Sequence, residues 1–230
     1  MNPEAIARLL GASRLFQCLA DDELRLLADR FVERRLRAGQ LLFYQGDPAD
    51  SLYLVGDGKI RVFVASEAGD VMVVATLGAG DTFGEIALID GGTRSASAES
   101  VGDTTLLSLT RNVFLELVHE NPRLVDSLLE SLGGFVRRLT EHSADLVFLD
   151  LPGRLAKYLL NLVHEKSDGA ESETVEIDLD LTQAELAAVV GGSRQSVNQI
   201  LHSFERRGYL EIKGRHMVVK RADLLRRALN

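Results

Sequence analysis

The chain has 230 residues, 46% of them hydrophobic, so it is long enough for two domains and too apolar for a disordered protein. Its single cysteine, Cys18, excludes a disulfide framework and any site built from several cysteines, and it fits a reducing cytoplasm. No run of about 18 apolar residues is present and the first residues lack a long apolar core, so we expect neither a membrane span nor a secretory signal.

The net charge of −8 is unevenly distributed along the chain. Residues 181–230 contain nine lysines and arginines against four acidic residues, a charge of +5, so the other 180 residues carry −13. A basic C-terminal segment on an acidic body is typical of a DNA-binding module attached to a second domain. A chance cluster on a solvated face is the alternative that charge alone leaves open.

Within the first 110 residues, the predicted secondary structure changes from helix to strand near residue 31. Residues 4–30 contain short runs typical of helices, whereas residues 31–110 hold eleven of the 20 glycines between short β-prone runs. These runs are "LLFY", "SLYLV", "KIRVFVA", "VMVVATL" and "TTLLSL". Many short strands separated by turn residues predict an antiparallel sandwich or a small barrel.

A long helix is predicted next, from Asn121, which can cap it, and Pro122 to about Asp150, just before Pro152. At 1.5 Å per residue this helix would be about 40 Å long. One apolar stripe with alternating spacings of three and four follows it: Val125, Leu128, Leu132, Phe135, Leu139, His142 and Leu146. We interpret the stripe as a seam with the same helix of a second subunit, and packing on the chain's own sheet is the alternative.

The C-terminal region begins with a helical segment, "GRLAKYLLNLVHEK", and continues with a strand-like "TVEIDLDL". Thr182 and Glu185 then form a capping-box pattern that opens a helix over residues 183–190. A Gly-Gly turn follows, and Ser193 can cap a second helix that ends near Gly208. Two short helices joined by a glycine turn are the helix-turn-helix pattern, and the pair "YLEIK" and "HMVVK" predicts a wing.

The start of the second helix carries side chains that read base edges in a major groove. Arg194 can contact guanine, and Gln195, Asn198 and Gln199 can contact adenine. The opposite face predicts core packing through Val197, Ile200, Leu201 and Phe204. The caps, the turn, the polar face and the wing together predict a DNA-binding domain.

Glu85 and Arg94 lie nine residues apart in the segment "TFGEIALIDGGTRSASAES", where most other residues are apolar or small. A carboxylate and a guanidinium in such a segment form either a structural ion pair or a site for a ligand that needs both. A sugar phosphate is a ligand of that kind, because it offers one anion and one hydroxyl donor.

The order of these elements resembles the CRP/FNR family of bacterial transcription regulators over nearly the whole chain. The stretches "FGEIALIDGGTRSA", "VFLDLPGRLAKYLL" and "LTQAELAAVVGGSRQSVNQIL" carry the resemblance. It implies an α+β protein in which an N-terminal antiparallel β-roll of the jelly-roll type is followed by a long dimerisation helix and a C-terminal winged helix-turn-helix. The implied domains are 1–120, 121–150 and 151–230, in a cytoplasmic regulator that is not an enzyme.

The resemblance also implies a cyclic-nucleotide pocket, with cyclic AMP or cyclic GMP as the effector. In it Arg94 and the first turn of a short helix would bind the cyclic phosphate, Ser95 would add a hydroxyl, and Glu85 would accept from the ribose while keeping Arg94 oriented. The implied pocket residues are Val74, Ala75, Phe83, Gly84, Glu85, Ile86, Ala87, Arg94, Ser95, Ala96, Leu139 and Thr140. A hinge from about Leu139 to Pro152 would pass ligand binding on to the DNA-binding domain.

The same resemblance implies a homodimer on a pseudo-palindromic DNA operator, with RNA polymerase as a partner of an activator. The implied DNA contacts are Thr182, Gln183, Ser193, Arg194, Gln195, Ser196, Asn198, Gln199 and Arg215. Two glutamines, Gln195 and Gln199, stand where well-known members have Glu and Arg, so we expect an operator half-site other than TGTGA. Leu139 departs from the adenine-contacting Thr-Ser pair of the cyclic AMP receptors, whereas Thr140 keeps a hydroxyl, so cyclic GMP stays open.

Other chemistries are excluded or disfavoured by residue counts. An iron–sulfur sensor needs several cysteines, and a haem or metal centre in the roll needs histidines, of which none lies between residues 31 and 110. An enzyme is disfavoured because the chain has no metal-binding cluster, no Ser-His-Asp set in one region and no Walker loop. A ligand-independent DNA-binding protein with a structural Glu85–Arg94 pair remains the main alternative.

Overall fold

The computed structural model describes residues 1–67, 71–166, 174–179, 181–213, 216–220 and 222–227. Its helices are α1 (Pro3–Ala12), α2 (Asp21–Ala28), α3 (Ile86–Asp90), α4 (Arg111–Glu120), α5 (Pro122–Phe148), α6 (Leu151–Lys166), α7 (Gln183–Val190), α8 (Arg194–Arg206) and α9 (Ala222–Arg227). Its strands are β1 (Val32–Leu36), β2 (Leu41–Phe43), β3 (Ser51–Asp57), β4 (Ile60–Ala65), β5 (Val71–Leu77), β6 (Thr82–Phe83), β7 (Ser97–Ser100), β8 (Thr104–Thr110), β9 (Val175–Asp178), β10 (Leu210–Lys213) and β11 (His216–Val219). The chain divides into two units, 1–137 and 138–230, and the boundary falls inside α5.

The first unit is built on two antiparallel sheets of four strands each, with the strand orders β1-β8-β3-β6 and β2-β7-β4-β5. Apolar residues from both sheets, including Leu36, Val55, Ile60 and Leu106, are buried in one cluster. This is the β-roll that the sequence predicts, and all five predicted strands are present.

Three further strands were not predicted from the sequence. Strand β1, "VERRL", contains three consecutive charged residues, and it pairs with β8 from Val32 opposite Ser108 to Leu36 opposite Thr104. Strand β6 has two residues and β7 reads "SAES". Their pairing with strands distant in the chain supplies the stability that their own β-propensity does not.

A second core in this unit joins the N-terminal helices to the start of the long helix. Leu10, Phe16, Leu88, Phe114 and Leu124 are fully or almost fully buried in one cluster. Residues of α1, α3, α4 and α5 therefore share a single apolar core.

The long helix α5 begins at Pro122, as expected, but the predicted cap at its start is wrong. The side chain of Asn121 donates from Nδ2 to the carbonyl oxygen of Leu117 at 3.3 Å, so it caps the end of α4 instead. The backbone oxygen of Asn121 accepts from Leu124 N at 3.0 Å and begins the α5 hydrogen bonds. With 27 residues, α5 is about 40 Å long.

The second unit contains the expected helix-turn-helix. Thr182 and Glu185 form the capping box of α7, with hydrogen bonds of 3.3 and 2.7 Å between side chains and backbone N–H groups. Ser193 caps α8 by accepting from Ser196 N at 3.1 Å. The apolar face of α8 is buried as predicted through Val197, Leu201 and Phe204, and Ile200 packs against the same cluster. A three-stranded sheet with the order β10-β11-β9 forms the wing.

The segment expected to be a hinge is tied to the helix-turn-helix within this unit. Arg154 donates from Nε to the Val190 oxygen at 2.8 Å, from Nη1 to the Leu149 oxygen at 2.8 Å and from Nη2 to the Gly191 oxygen at 3.1 Å. One guanidinium thus joins the residue after α5 to the turn that precedes α8. In addition, Lys157 pairs with Asp145 at 2.6 Å.

Candidate functional sites

The guanidinium of Arg94 is held inside the first unit. The side chain is 3% exposed, which is rare for an arginine. Nη1 donates to the Gly84 oxygen at 3.0 Å and Nη2 to the Ser51 oxygen at 2.7 Å. The guanidinium carbon lies 4.2 Å from the ring centroid of Phe43 and 5.5 Å from that of Tyr53. Carbonyl oxygens and aromatic faces therefore compensate the buried positive charge.

Glu85 forms no ion pair with Arg94 within 4.0 Å among the described residues, so its expected role in orienting Arg94 stays a prediction. Within the described residues, the carboxylate that approaches Arg94 to 4.0 Å is that of Asp50, whose own side chain is 90% exposed. Burial lowers the pKa of Arg94, and the neighbouring Tyr53 and Asp50 oppose that change. The guanidinium nevertheless stays protonated, because arginine does not lose its proton in proteins.

Glu85 and Arg94 each keep a polar atom without a hydrogen-bond partner. In the part of the chain that the structure describes, neither Glu85 Oε2 nor Arg94 Nε has such a partner, and both atoms are shielded from solvent. Burial raises the pKa of Glu85, while its own backbone N–H and the charge of Arg94 act in the opposite direction. A buried acceptor and a buried cationic donor without partners are costly to the fold, and they are the two groups that a sugar phosphate satisfies.

Gly84 allows the backbone to approach Arg94. Its φ of +86° lies in the left-handed region, and a Cβ at this position would lie 2.6 Å from Arg94 Nη1. Any other residue here would be strained and would displace the guanidinium from the Gly84 oxygen.

The remaining predicted pocket residues are spread over both units. Phe83 is buried, and its ring stacks on Tyr53 with centroids 5.3 Å apart. Ala87 and Ala96 are also buried, Val74, Ala75 and Ile86 are half-buried, and Ser95 is exposed. Leu139 and Thr140 are exposed and lie in the unit of residues 138–230.

The sequence did not identify the groups that hold Arg94. The Ser51 and Gly84 acceptors are backbone oxygens, which leave no signature in the residue type. Phe43 and Tyr53 belong to predicted strands, and only the folded sheets bring their rings under one guanidinium.

The predicted DNA-contacting residues cluster at the start of the helix-turn-helix pair. Arg194, Gln195 and Gln199 are exposed on α8. Gln183 donates from Nε2 to Asn198 Oδ1 at 3.2 Å, which links α7 to α8 on the outer face. Thr182, Ser193 and Ser196 are engaged in the helix caps. Arg215 lies outside the described residues.

The exposed face of α8 continues beyond the residues predicted to contact DNA. His202 and Arg206 are exposed and follow Gln195 and Gln199 at helical spacing. His202 Nδ1 lies 3.4 Å from Glu205 Oε2. The same 3.6-residue period would have identified both residues in the sequence.

The exposed apolar stripe of α5 differs from the predicted seam. Leu128 is buried in the unit's own core at 5% exposure, and Leu132 packs against that core. Val125, Phe135 and His142 are half-buried, whereas Leu139 and Leu146 are exposed. The large exposed apolar side chains of this helix are Leu129 at 61%, Val136 at 59%, Leu139 at 39%, Leu146 at 42%, Val147 at 75% and Phe148 at 81%. The period was predicted correctly, but over the first half of the helix the exposed stripe is shifted to neighbouring positions.

The described residues contain neither a cluster of metal-ligating side chains nor a helix suited to crossing a membrane. There, no three His, Cys, Asp or Glu side chains are grouped closely enough to hold a metal ion. No described helix is both long and apolar enough to cross a bilayer.

Comparison with known proteins identifies both units. A model of the cyclic nucleotide-binding domain matches residues 33–121, and a model of the Crp-like helix-turn-helix domain matches residues 153–228. The chain is thus a transcription regulator of the class that joins a cyclic nucleotide-binding domain to a DNA-binding domain.

Curated relatives and solved structures agree with this class. The chain is 30% identical to the CRP-like cAMP-activated global transcriptional regulator of Mycobacterium tuberculosis, over 95% of this chain and 97% of that protein. It is 36% identical to the cyclic AMP receptor protein of Thermus thermophilus, over 94% and 96%. A CooA variant from Carboxydothermus hydrogenoformans matches with a TM-score of 0.76 and 26% identity, over 88% and 89% of the two chains. The chain belongs to the CRP/FNR family.

The raised pKa of Glu85 predicts a pH-dependent change in stability. The folded chain binds this proton more tightly than the unfolded chain, so the contribution of Glu85 to stability falls as the pH rises from the unfolded to the folded pKa. We therefore expect Glu85→Gln to raise the free energy of unfolding near pH 7 by about 1 kcal/mol, because a buried unpaired charge costs more than a buried amide. Below about pH 4 the gain should vanish.

Denaturant unfolding at several pH values measures this difference. Glu116→Gln, at an exposed glutamate of α4, is the matched control and should leave stability unchanged. A loss of stability in E85Q near neutral pH would contradict the account of Glu85 as an unpaired buried acid.

Proposed function

We propose that this chain is a cytoplasmic, homodimeric transcription regulator whose binding to DNA is controlled by a cyclic nucleotide, with cyclic AMP as the effector. The observation that carries the proposal is the pair of buried, unpartnered atoms, Glu85 Oε2 and Arg94 Nε, on either side of one short helix. RNA polymerase is the further partner expected where the regulator activates transcription.

A cyclic nucleotide supplies what each of these atoms lacks. Arg94 is permanently charged and would donate to the cyclic phosphate from Nε together with a second nitrogen. Glu85, once ionised, would accept a hydrogen bond from the ribose 2′-hydroxyl. Each charge-assisted hydrogen bond contributes about 1.5–3 kcal/mol, and several together are sufficient for micromolar binding.

Two considerations bear on the choice of nucleotide. The relatives from Mycobacterium tuberculosis and Thermus thermophilus are named for cyclic AMP, which supports cyclic AMP here. Leu139, by contrast, has no group that could hydrogen-bond a base, so base recognition would depend on Thr140. Cyclic GMP is therefore the competitor that any binding experiment should include.

The exposed apolar stripe of α5 supports the homodimer. Leu129 and Val136 are seven residues apart, as are Leu139 and Leu146, and Leu139 follows Val136 by three, so the two pairs fit the a and d positions of one heptad register. A parallel copy of the same helix would bury both pairs.

A ligand-independent regulator is the second candidate. Arg94 already donates to two backbone oxygens, which is what a purely structural arginine would do. The unpartnered Glu85 Oε2 favours the first candidate, because a structural pair would bring this carboxylate to Arg94.

Isothermal titration calorimetry with cyclic AMP and cyclic GMP separates the two candidates. We expect the wild-type chain to bind cyclic AMP and Gly84→Ala to weaken that binding by about tenfold or more, because an added Cβ displaces Arg94 Nη1. Gly80→Ala is the matched control, since Gly80 has a φ of +91° and no atom within 4 Å of an added Cβ. Equal weakening by both substitutions would show that the effect is general backbone strain.

Arg194→Ala tests the DNA-reading face. We expect a loss of about 1–3 kcal/mol in affinity for a duplex selected by the protein from a random pool, with relaxed preference at one base pair. Fluorescence anisotropy against selected and random duplexes measures it, and Arg25→Ala on α2 is the control. An equal loss of affinity for both duplexes would show that Arg194 contacts only the phosphate backbone.

Val136→Asp tests the dimer. Because Val136 is 59% exposed in the single chain, the substitution should leave the fold intact and place a charge in the seam, which converts dimer to monomer in analytical ultracentrifugation. Leu26→Asp, at a 73% exposed leucine of α2, should leave the assembly unchanged. A V136D chain that sediments like the wild type would place the interface elsewhere.

A further inference from the structure

Arg111 lies where α3, the start of α4 and the residue before β3 meet. It is the first residue of α4, and its Nε donates to the Leu88 oxygen at 3.0 Å, near the C-terminal end of α3. Its backbone N donates to the Asp50 oxygen at 2.7 Å, just before β3. An arginine that donates to the last carbonyls of a helix is well matched to that helix end, because the end carries a partial negative charge.

Both acceptors of Arg111 adjoin groups of the proposed nucleotide pocket. Asp50 precedes Ser51, whose oxygen accepts from Arg94 Nη2 at 2.7 Å. Leu88 belongs to the helix that Glu85 begins, since Leu88 N donates to the Glu85 oxygen at 2.9 Å. A ligand that moves α3 would therefore shift the Leu88 acceptor, and one that draws Arg94 away from Ser51 would release a contact next to the Asp50 acceptor.

On its other side, Arg111 leads into the long helix. Phe114, one turn further along α4, is fully buried in the cluster that also contains Leu88, Leu124 and Leu128. Leu124 and Leu128 are residues of α5. The first turns of α4 and α5 thus share one rigid core with α3, and such a core responds to displacement as a unit.

We propose that Arg111 transmits occupancy of the nucleotide pocket to the long helix α5. Its hydrogen bond to Leu88 would make α3 and the start of α4 move together. The inference rests on the proposed function and adds the route by which that function is regulated. Arg111 contacts no ligand in this account and acts by position. Without its hydrogen bond to Leu88, the coupling between α3 and the start of α4 would rest on the packing of Leu88 against their shared core and would be weaker.

The test compares Arg111→Met with Arg123→Met. Methionine keeps the unbranched stem of Arg111 and removes every donor, and Arg123 is a 65% exposed arginine at the start of α5. Calorimetry gives the cyclic AMP affinity without DNA, and anisotropy gives the DNA affinity with and without cyclic AMP. We expect R111M to keep its cyclic AMP affinity within about threefold, while the cyclic AMP effect on DNA affinity shrinks by about fivefold or more. R123M should match the wild type in both respects.

The outcomes separate this inference from the proposed function. Failure of the wild-type chain to bind cyclic AMP would overturn both. A normal wild-type response with an equal response in R111M would overturn the role of Arg111 alone. If R111M does not fold, hydrogen exchange on the wild type decides: cyclic AMP should change the exchange of the Arg111 amide and of the first turn of α4. A change in exchange confined to α3 and the residues around Arg94 would contradict this role of Arg111.

Discussion

The proposed site in the first unit depends on a buried guanidinium, that of Arg94, which forms no ion pair with a buried carboxylate among the described residues. Two backbone oxygens and two aromatic faces surround Arg94, while the acid that the sequence places nearby, Glu85, remains unpaired. Leaving both groups partly unsatisfied costs stability and keeps a cation and an acceptor available to a ligand that carries an anion and a hydroxyl.

Backbone segments from two neighbouring turns position Arg94. Gly84 lets the backbone come within reach of Arg94. The turn at Gly46 and Asp47 fixes the backbone of Arg94, because Gly46 N donates to the Arg94 oxygen and Arg94 N donates to the Asp47 oxygen, both at 2.9 Å. The second unit uses an arginine in the same way. The three hydrogen bonds of Arg154 to carbonyl oxygens fix the residue after α5 to the turn before α8. In both units an arginine organises backbone oxygens, and its five donors in a fixed plane make it suited to that role.

The sequence predicts elements well where local chemistry decides them. The capping box at Thr182, the cap at Ser193 and the start of α5 at Pro122 come from short-range rules, and the structure follows them. Strand β1 was missed because its charged residues are held by pairing with β8, which is distant in the chain. Prediction fails where the partner is a backbone oxygen or an aromatic face from another strand, as it is for Arg94.

The exposed stripe of α5 illustrates a second limit. A heptad pattern in the sequence gives the period of an apolar stripe on a helix. Two adjacent stripes of one helix can share that period, so the pattern does not decide which stripe is exposed. Leu128 and Leu129 are chemically equivalent in the sequence, and only packing on the unit's own core decides which of them stays exposed. A structure of the chain crystallised with cyclic AMP tests the central claim most directly. It should place the phosphate within hydrogen-bond distance of Arg94 Nε and the 2′-hydroxyl on Glu85 Oε2. A nucleotide bound elsewhere, or none at saturating concentration with the two atoms still unpaired, would contradict the claim.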